Sequence, residues 1–352
     1  MYSNLKKGFS FEETLRAYFI RSGNYCIRGG LLRQAKEDIT DIDLWLYERP
    51  SGASRRRKIV DAKFKKSPKA VERILFTRGM ADYLNIEEAY VATCDKRPIL
   101  EEFSSRIGIS VINGQDLQLM SKREKLLFPE RISEEDYISL LREVDRNRRN
   151  KVLKNLHEDL KSSLLCNMGA GALNNALITC GIVARALLSS FPNGKGAEAS
   201  TRLLYFTCSV IAICLDFVLS KFWFRSLSEK RDALINSIKY GHHNKGYGQE
   251  KIRVASALVT QHAPNGSAVA QSMKNSISDY FDNIHADIVV DHVIENLRNN
   301  TLYEMACILE KRAYDRDLQG YDILSSPEKS FLGTIMDFCG IDRVRIANSW
   351  AK

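Results

Sequence analysis

Charged side chains set inside two apolar, β-branched runs constrain this chain more than any other feature. Thr40-Asp41-Ile42-Asp43-Leu44-Trp45 is followed, after a turn-rich interruption, by Ile59-Val60-Asp61-Ala62-Lys63-Phe64. Runs of this composition form strands, and a charge within one is costly unless it binds something. Side chains alternate faces along an extended chain, so Asp41 and Asp43 point one way, and Asp61 and Lys63 share a face. Pairing the two strands gathers carboxylates and a lysine. Oxygen ligands of this kind hold a hard cation such as Mg²⁺ or Mn²⁺, and a lysine beside them supports an attacking water or developing charge. The arrangement suits metal-assisted phosphodiester hydrolysis.

The surrounding pattern predicts a mixed α/β unit over residues 1–120. Ser10 before Phe11-Glu12-Glu13 reads as a helix cap, with the helix ending near Ser22-Gly23. A short strand over 25–28 stops at Gly29-Gly30, and strands over 39–47 and 58–64 are joined by a turn at Pro50-Ser51-Gly52. Pro68 opens a helix reaching residue 84; residues 89–93 and 109–112 give two more strands, with a helix over 98–106 between them. That order makes a central mixed sheet flanked by helices. Residues 121–151 are polar and charged and predict a connecting helix, with Ser133-Glu134-Glu135-Asp136 resembling its start. From 152 to 352 strand signals nearly vanish and apolar helical patterns dominate, so an all-α C-terminal domain is expected. Residues 241–248, rich in glycine, predict a flexible loop within it.

The formal charge of +9 is unevenly spread: residues 1–70 hold 16 Lys and Arg against 8 Asp and Glu, which leaves little excess elsewhere. Positive charge around the candidate site attracts a polyanion such as nucleic acid. The eight cysteines form no CxxC pair and mostly sit in apolar surroundings, as reduced core residues of a cytoplasmic protein do. Residues 1–7 carry no apolar signal core, so secretion is not expected. Residues 203–219 are strongly apolar, but they contain Asp216 and fall short of the roughly 20 residues that span a bilayer. A buried core helix is the better reading, and no membrane association is expected.

These residues resemble the PD-(D/E)XK nuclease superfamily, in particular its Mrr-like and Holliday-junction-resolvase-like branches. The resemblance covers residues 8–117 and rests on Gly8-Phe9-Ser10-Phe11-Glu12, Asp41-Ile42-Asp43-Leu44 and Asp61-Ala62-Lys63. It implies a restriction-endonuclease-like α/β domain in which a helical glutamate, a strand aspartate and a (D/E)xK strand meet around one or two divalent metals. The matching positions are Glu12, Asp43, Asp61 and Lys63. Asp43 and Asp61 would hold Mg²⁺ or Mn²⁺ with the Ala62 carbonyl as a further ligand. Lys63 would orient water or stabilise the transition state, and Glu12 would hold a metal-bound water or a second ion. No proline precedes Asp43, Asp41 competes with it for the metal role, and Glu13 competes with Glu12.

Arg55, Arg56, Arg57 and Lys58, at the hairpin between the site strands, join Lys65, Lys66 and Lys69 as candidate phosphate contacts on either side of a cut. The resemblance implies a DNA substrate and a role in restriction or antiphage defence. A structure-selective repair nuclease or junction resolvase, and a catalytically silent DNA-binding scaffold, are the rival expectations. No residue of the helical half names a ligand. His285 and His292 share a helix face without a set of further ligands, and no phosphate-binding loop marks a motor. Homo-oligomerisation, sensing, or docking of a partner such as an ATPase is expected of that half.

Overall fold

The computed structural model describes residues 7–34, 37–63, 69–122, 130–146, 152–296 and 301–350. Five strands form one mixed sheet in the order β1 (Tyr25–Gln34), β2 (Glu37–Glu48), β3 (Arg56–Lys63), β4 (Glu88–Thr93) and β5 (Ser110–Ile112). The first three pair antiparallel; β3 with β4, and β4 with β5, pair parallel. Parallel neighbours need crossovers, here α2 (Ala70–Tyr83) and α3 (Ile99–Arg106). Helix α1 (Lys7–Arg21) begins earlier than its sequence suggested, with Ser10 inside it rather than capping it. Its residues Phe11, Leu15 and Phe19, spaced by four, meet Leu44, Leu46, Val60, Ala62 and Ala92 in a buried cluster. Alternation then sends Asp43, Trp45, Ile59 and Asp61 to the opposite face, toward α2.

Gly29-Gly30 does not end the first strand, which runs ten residues to Gln34. Gly29 takes φ +66°, and a Cβ on Gly30 would lie 2.5 Å from Leu165 Cδ1. The glycines let the strand continue past an αL position and beneath a packed leucine.

The chain divides into two compact units, residues 1–166 with 310–318, and residues 167–309 with 319–352. This differs from a break over 121–151. Helix α4 (Gly114–Lys122), helix α5 (Glu134–Arg146) and most of helix α6 (Leu153–Asn167) belong with the sheet. The reason is a buried ionic network that looks like linker polarity in the sequence. Glu134 accepts from Lys161 and, at 2.7 Å, from the Tyr314 hydroxyl; Lys161 also donates to the Arg28 carbonyl at 2.7 Å. Glu310 accepts from Arg16 at 2.9 Å and from Arg131.

The second unit is helical: α7 (Ala170–Leu188), α8 (Lys195–Ser220), α9 (Leu227–Tyr240), α10 (Lys245–His262), α11 (Gly266–Asp282), α12 (Ala286–Glu295), α14 (Ser326–Phe338) and α15 (Arg343–Ser349). Helix α13 (Thr301–Tyr314) starts in this unit and ends in the first. The glycine-rich stretch expected as a loop is one over residues 241–244, while residues 245–248 open α10, whose N-cap Asn244 accepts from the Gly246 N–H at 2.9 Å. Two helices, α7 and α8, are long and apolar enough to cross a membrane. The apolar window of α8 is 89% buried inside the protein and Asp216 with it, the burial of a core helix. All eight cysteines are free thiols.

Candidate active site

Antiparallel pairing of β2 with β3 runs from Glu48↔Arg56 to Leu44↔Val60 and stops there. Beyond that pair the Asp43 carboxylate takes the place of the ladder, with Oδ2 accepting the Ala62 N–H at 2.7 Å. On its other edge β3 stays paired with β4 out to Lys63↔Thr93, which keeps Asp61, Ala62 and Lys63 extended. Register with β1 sets Gly29 opposite Asp43, between the pairs Arg28↔Leu44 and Gly30↔Ile42. A Cβ there would meet nothing within 4 Å, so the glycine is called for by its positive φ rather than by space.

Asp43 is only 8% exposed, and burial pushes its ionisation up to about 7, opposed by the Ala62 N–H and the Lys63 charge. Lys63 Nζ stands 3.9 Å from Asp43 Oδ2. Asp61 lines the same crevice as Asp41, Asp43, Ile59, Phe76 and Thr77. Its carboxylate is held by Arg73 of α2, Nε at 2.7 Å from Oδ2 and Nη2 on Oδ1. Asp41 is exposed, so of the two acids on β2 Asp43 is the one drawn into the strand junction.

Glu12 reaches the same neighbourhood from α1, since its charge acts on Asp43 and that of Lys63 acts on it. Burial raises its ionisation, while Arg28 beside it works the other way. The carboxylate is committed to Arg28, whose Nε lies 2.9 Å from Glu12 Oε2. Arg28 also donates to Glu13 at 2.9 Å and to Glu135 at 2.7 Å. Glu13 faces further inward, where it also accepts the Glu134 N–H at 3.2 Å. Asp43, Asp61 and Lys63 are thus brought together directly, with Glu12 alongside but tethered.

Among the described residues no group of three or more His, Cys, Asp or Glu side chains is arranged to hold a metal ion. Mg²⁺ keeps several waters and takes one or two carboxylates, so Asp43 and Asp61 with the Ala62 carbonyl are a chemically fitting donor set. Each of the two carboxylates has a protein partner in its place. Ala62 itself is buried and supplies its N–H to Asp43.

The basic hairpin lies at the other end of β3, and its residues are spent on the protein rather than aimed at the site. Arg55 donates to the carbonyls of Ser51, Gly52 and Ser54 at 2.7, 2.9 and 2.8 Å, bracing the turn. Arg56 pairs with Glu88 at 3.2 Å, Arg57 with Glu87 at 2.7 Å, and Lys58 with Glu48 at 2.7 Å. Lys69, exposed and paired with Glu72 at 3.1 Å, stands at the start of α2. Lys65 and Lys66 lie outside the described residues. Arg28 and Arg73 escape the sequence reading. Arg28 carries the signal that reveals Asp43, a charge in an apolar strand, whereas nothing marks Arg73 among the basic residues of a helix.

No family model, no curated protein and no solved structure matches this chain.

Proposed function

We propose that the first unit is a divalent-metal-dependent DNA endonuclease of the PD-(D/E)XK kind, acting in restriction or antiphage defence in the cytoplasm. The observation that carries this reading is the strand junction: β2 and β3 part after Leu44↔Val60, and Asp43 closes the gap on the Ala62 N–H with Asp61 and Lys63 on the adjoining residues. A bound Mg²⁺ or Mn²⁺ would supply Lewis acidity toward the scissile phosphate and its attacking water. Asp43 and Asp61 bind the cation. Lys63, 30% exposed, reaches outward from the junction and places a point charge where negative charge develops. Glu12, held by Arg28, orients solvent at the rim. The DNA substrate and the defence role draw on the resemblance and on the basic excess of residues 1–70. The helical unit serves oligomerisation or docks a partner such as an ATPase, a reading that draws on the number of its apolar helices.

Digestion of plasmid DNA by the purified protein with Mg²⁺, Mn²⁺ or EDTA tests the reading. Cleavage is expected with either ion and absent in EDTA, and Lys63→Met should lower the rate about a hundredfold or more while leaving the fold intact. Cleavage that survives EDTA refutes it. A second reading, a nuclease fold kept as a silent DNA-binding scaffold, is favoured by the engagement of Glu12 with Arg28 and of Asp61 with Arg73. DNA binding with no cleavage under any of these conditions selects the scaffold.

A further inference from the structure

Arg73 stands in the candidate site without a role among the nuclease residues. In the first turn of α2 it sets a two-pronged grip on Asp61, Nε donating to Oδ2 at 2.7 Å and Nη2 to Oδ1. Its guanidinium lies over the Phe76 ring, 4.5 Å from the centroid, and the charges of Asp43 and Asp41 act on it as well. A fork of this kind covers the carboxylate oxygens that a cation would use. Lys63 attends Asp43 instead.

Resting on the nuclease reading above, we propose that Arg73 is a resident counter-charge that must leave Asp61 before a divalent cation settles between Asp61 and Asp43, and that a DNA phosphodiester draws it away. Phosphate offers the guanidinium the same forked acceptor geometry as a carboxylate. The side chain is 27% exposed, so it turns toward solvent and substrate without disturbing the helix. Asp61 cannot serve both partners. Cation and DNA therefore bind cooperatively, and the site stays quiet where no DNA lies in it.

The test is Mn²⁺ binding to the full chain, read from the paramagnetic resonance signal of the free ion, with and without a short phosphorothioate DNA duplex. For the native protein the duplex should tighten Mn²⁺ binding about tenfold, since it removes a competing charge-assisted pair. Arg73→Gln should bind Mn²⁺ about tenfold tighter without DNA and gain little from it, with Arg73→Lys, a point charge lacking the fork, in between. Circular dichroism melts confirm that each variant is folded. If Asp61→Asn weakens Mn²⁺ binding while Arg73→Gln leaves it at native strength, the nuclease reading stands and this proposal falls. If neither Asp43→Asn nor Asp61→Asn alters Mn²⁺ binding, with or without DNA, both fall.

Discussion

At Asp43 one backbone N–H and a lysine 3.9 Å away only partly offset burial, which is why its ionisation is pushed up to about 7. Asparagine keeps the acceptor for the Ala62 N–H and removes the charge. Asp43→Asn is therefore expected to melt at or above the native temperature, gaining about 1 kcal/mol, while cleavage is abolished, the trade expected where a site is strained for function. A lowered melting temperature would show the charge to be structural. Residues of this sort were readable because a strand interior tolerates ions poorly: Asp43, Asp61 and Lys63 stand out against Ile, Val, Leu and Ala. Arg73 did not stand out, since a helix with one face in water carries arginines freely. Its pairing with Asp61 joins two elements and leaves no periodic trace in the chain.

Among the elements, the strands over the second, third and fourth positions of the sheet could be placed from composition, because β-branched runs bounded by turn residues have few alternatives. Of the first strand only the start, at Tyr25, could be, because glycine usually interrupts a strand. Here it permits a positive φ at Gly29, opposite Asp43, and passage under Leu165 at Gly30. A Cβ on Gly29 meets nothing within 4 Å, so substitution there tests backbone strain alone. Gly29→Ala should cost about 1 kcal/mol, and Gly29→Asn, which tolerates αL, should cost less. Equal losses in urea unfolding would place the cost elsewhere. The hairpin shows how far local charge reaches: a basic tip suggests phosphate contacts, and Arg56, Arg57 and Lys58 in it pair with Glu88, Glu87 and Glu48 across the sheet. Glu87 lies 30 residues from Arg57, beyond what local charge counting sees.

In the molecule as a whole, the ionic network hidden in the first unit ties its stability to pH and to a distant segment of the chain. His157 is fully buried, its ring 4.8 Å from that of Tyr137, and burial, with the Lys161 charge adding, holds its ionisation down to about 3. An unfolded histidine titrates near 6.5, so as pH falls through that value the unfolded chain gains a proton that the folded one refuses. Stability from this group is present above about pH 6.5 and is lost between there and about pH 3, by on the order of a few kcal/mol. His157→Gln should flatten the decline in urea stability between pH 7 and 4 relative to the native chain; parallel curves would exclude His157 as the cause. The same network makes the first unit discontinuous. Glu310 receives Arg16 and Arg131, and the Tyr314 hydroxyl meets Glu134, so the segment 310–318, which interrupts the helical unit, completes the first one. Without that segment Arg131 loses the Glu310 carboxylate while Arg16 is left with Glu13 and Glu134, and a buried charge stripped of its partner costs roughly 3–5 kcal/mol. A loss of that size is a large share of the stability of a domain, about 5–15 kcal/mol. A chain of residues 1–166 alone should therefore show no cooperative melt, although it holds the complete sheet and every candidate catalytic residue. Adding a peptide of residues 301–318 should restore the transition, and Glu310→Gln in the full chain should lower it by several degrees. A cooperative melt of 1–166 near the native temperature would show that the network is incidental and that the sheet and its helices stand by themselves.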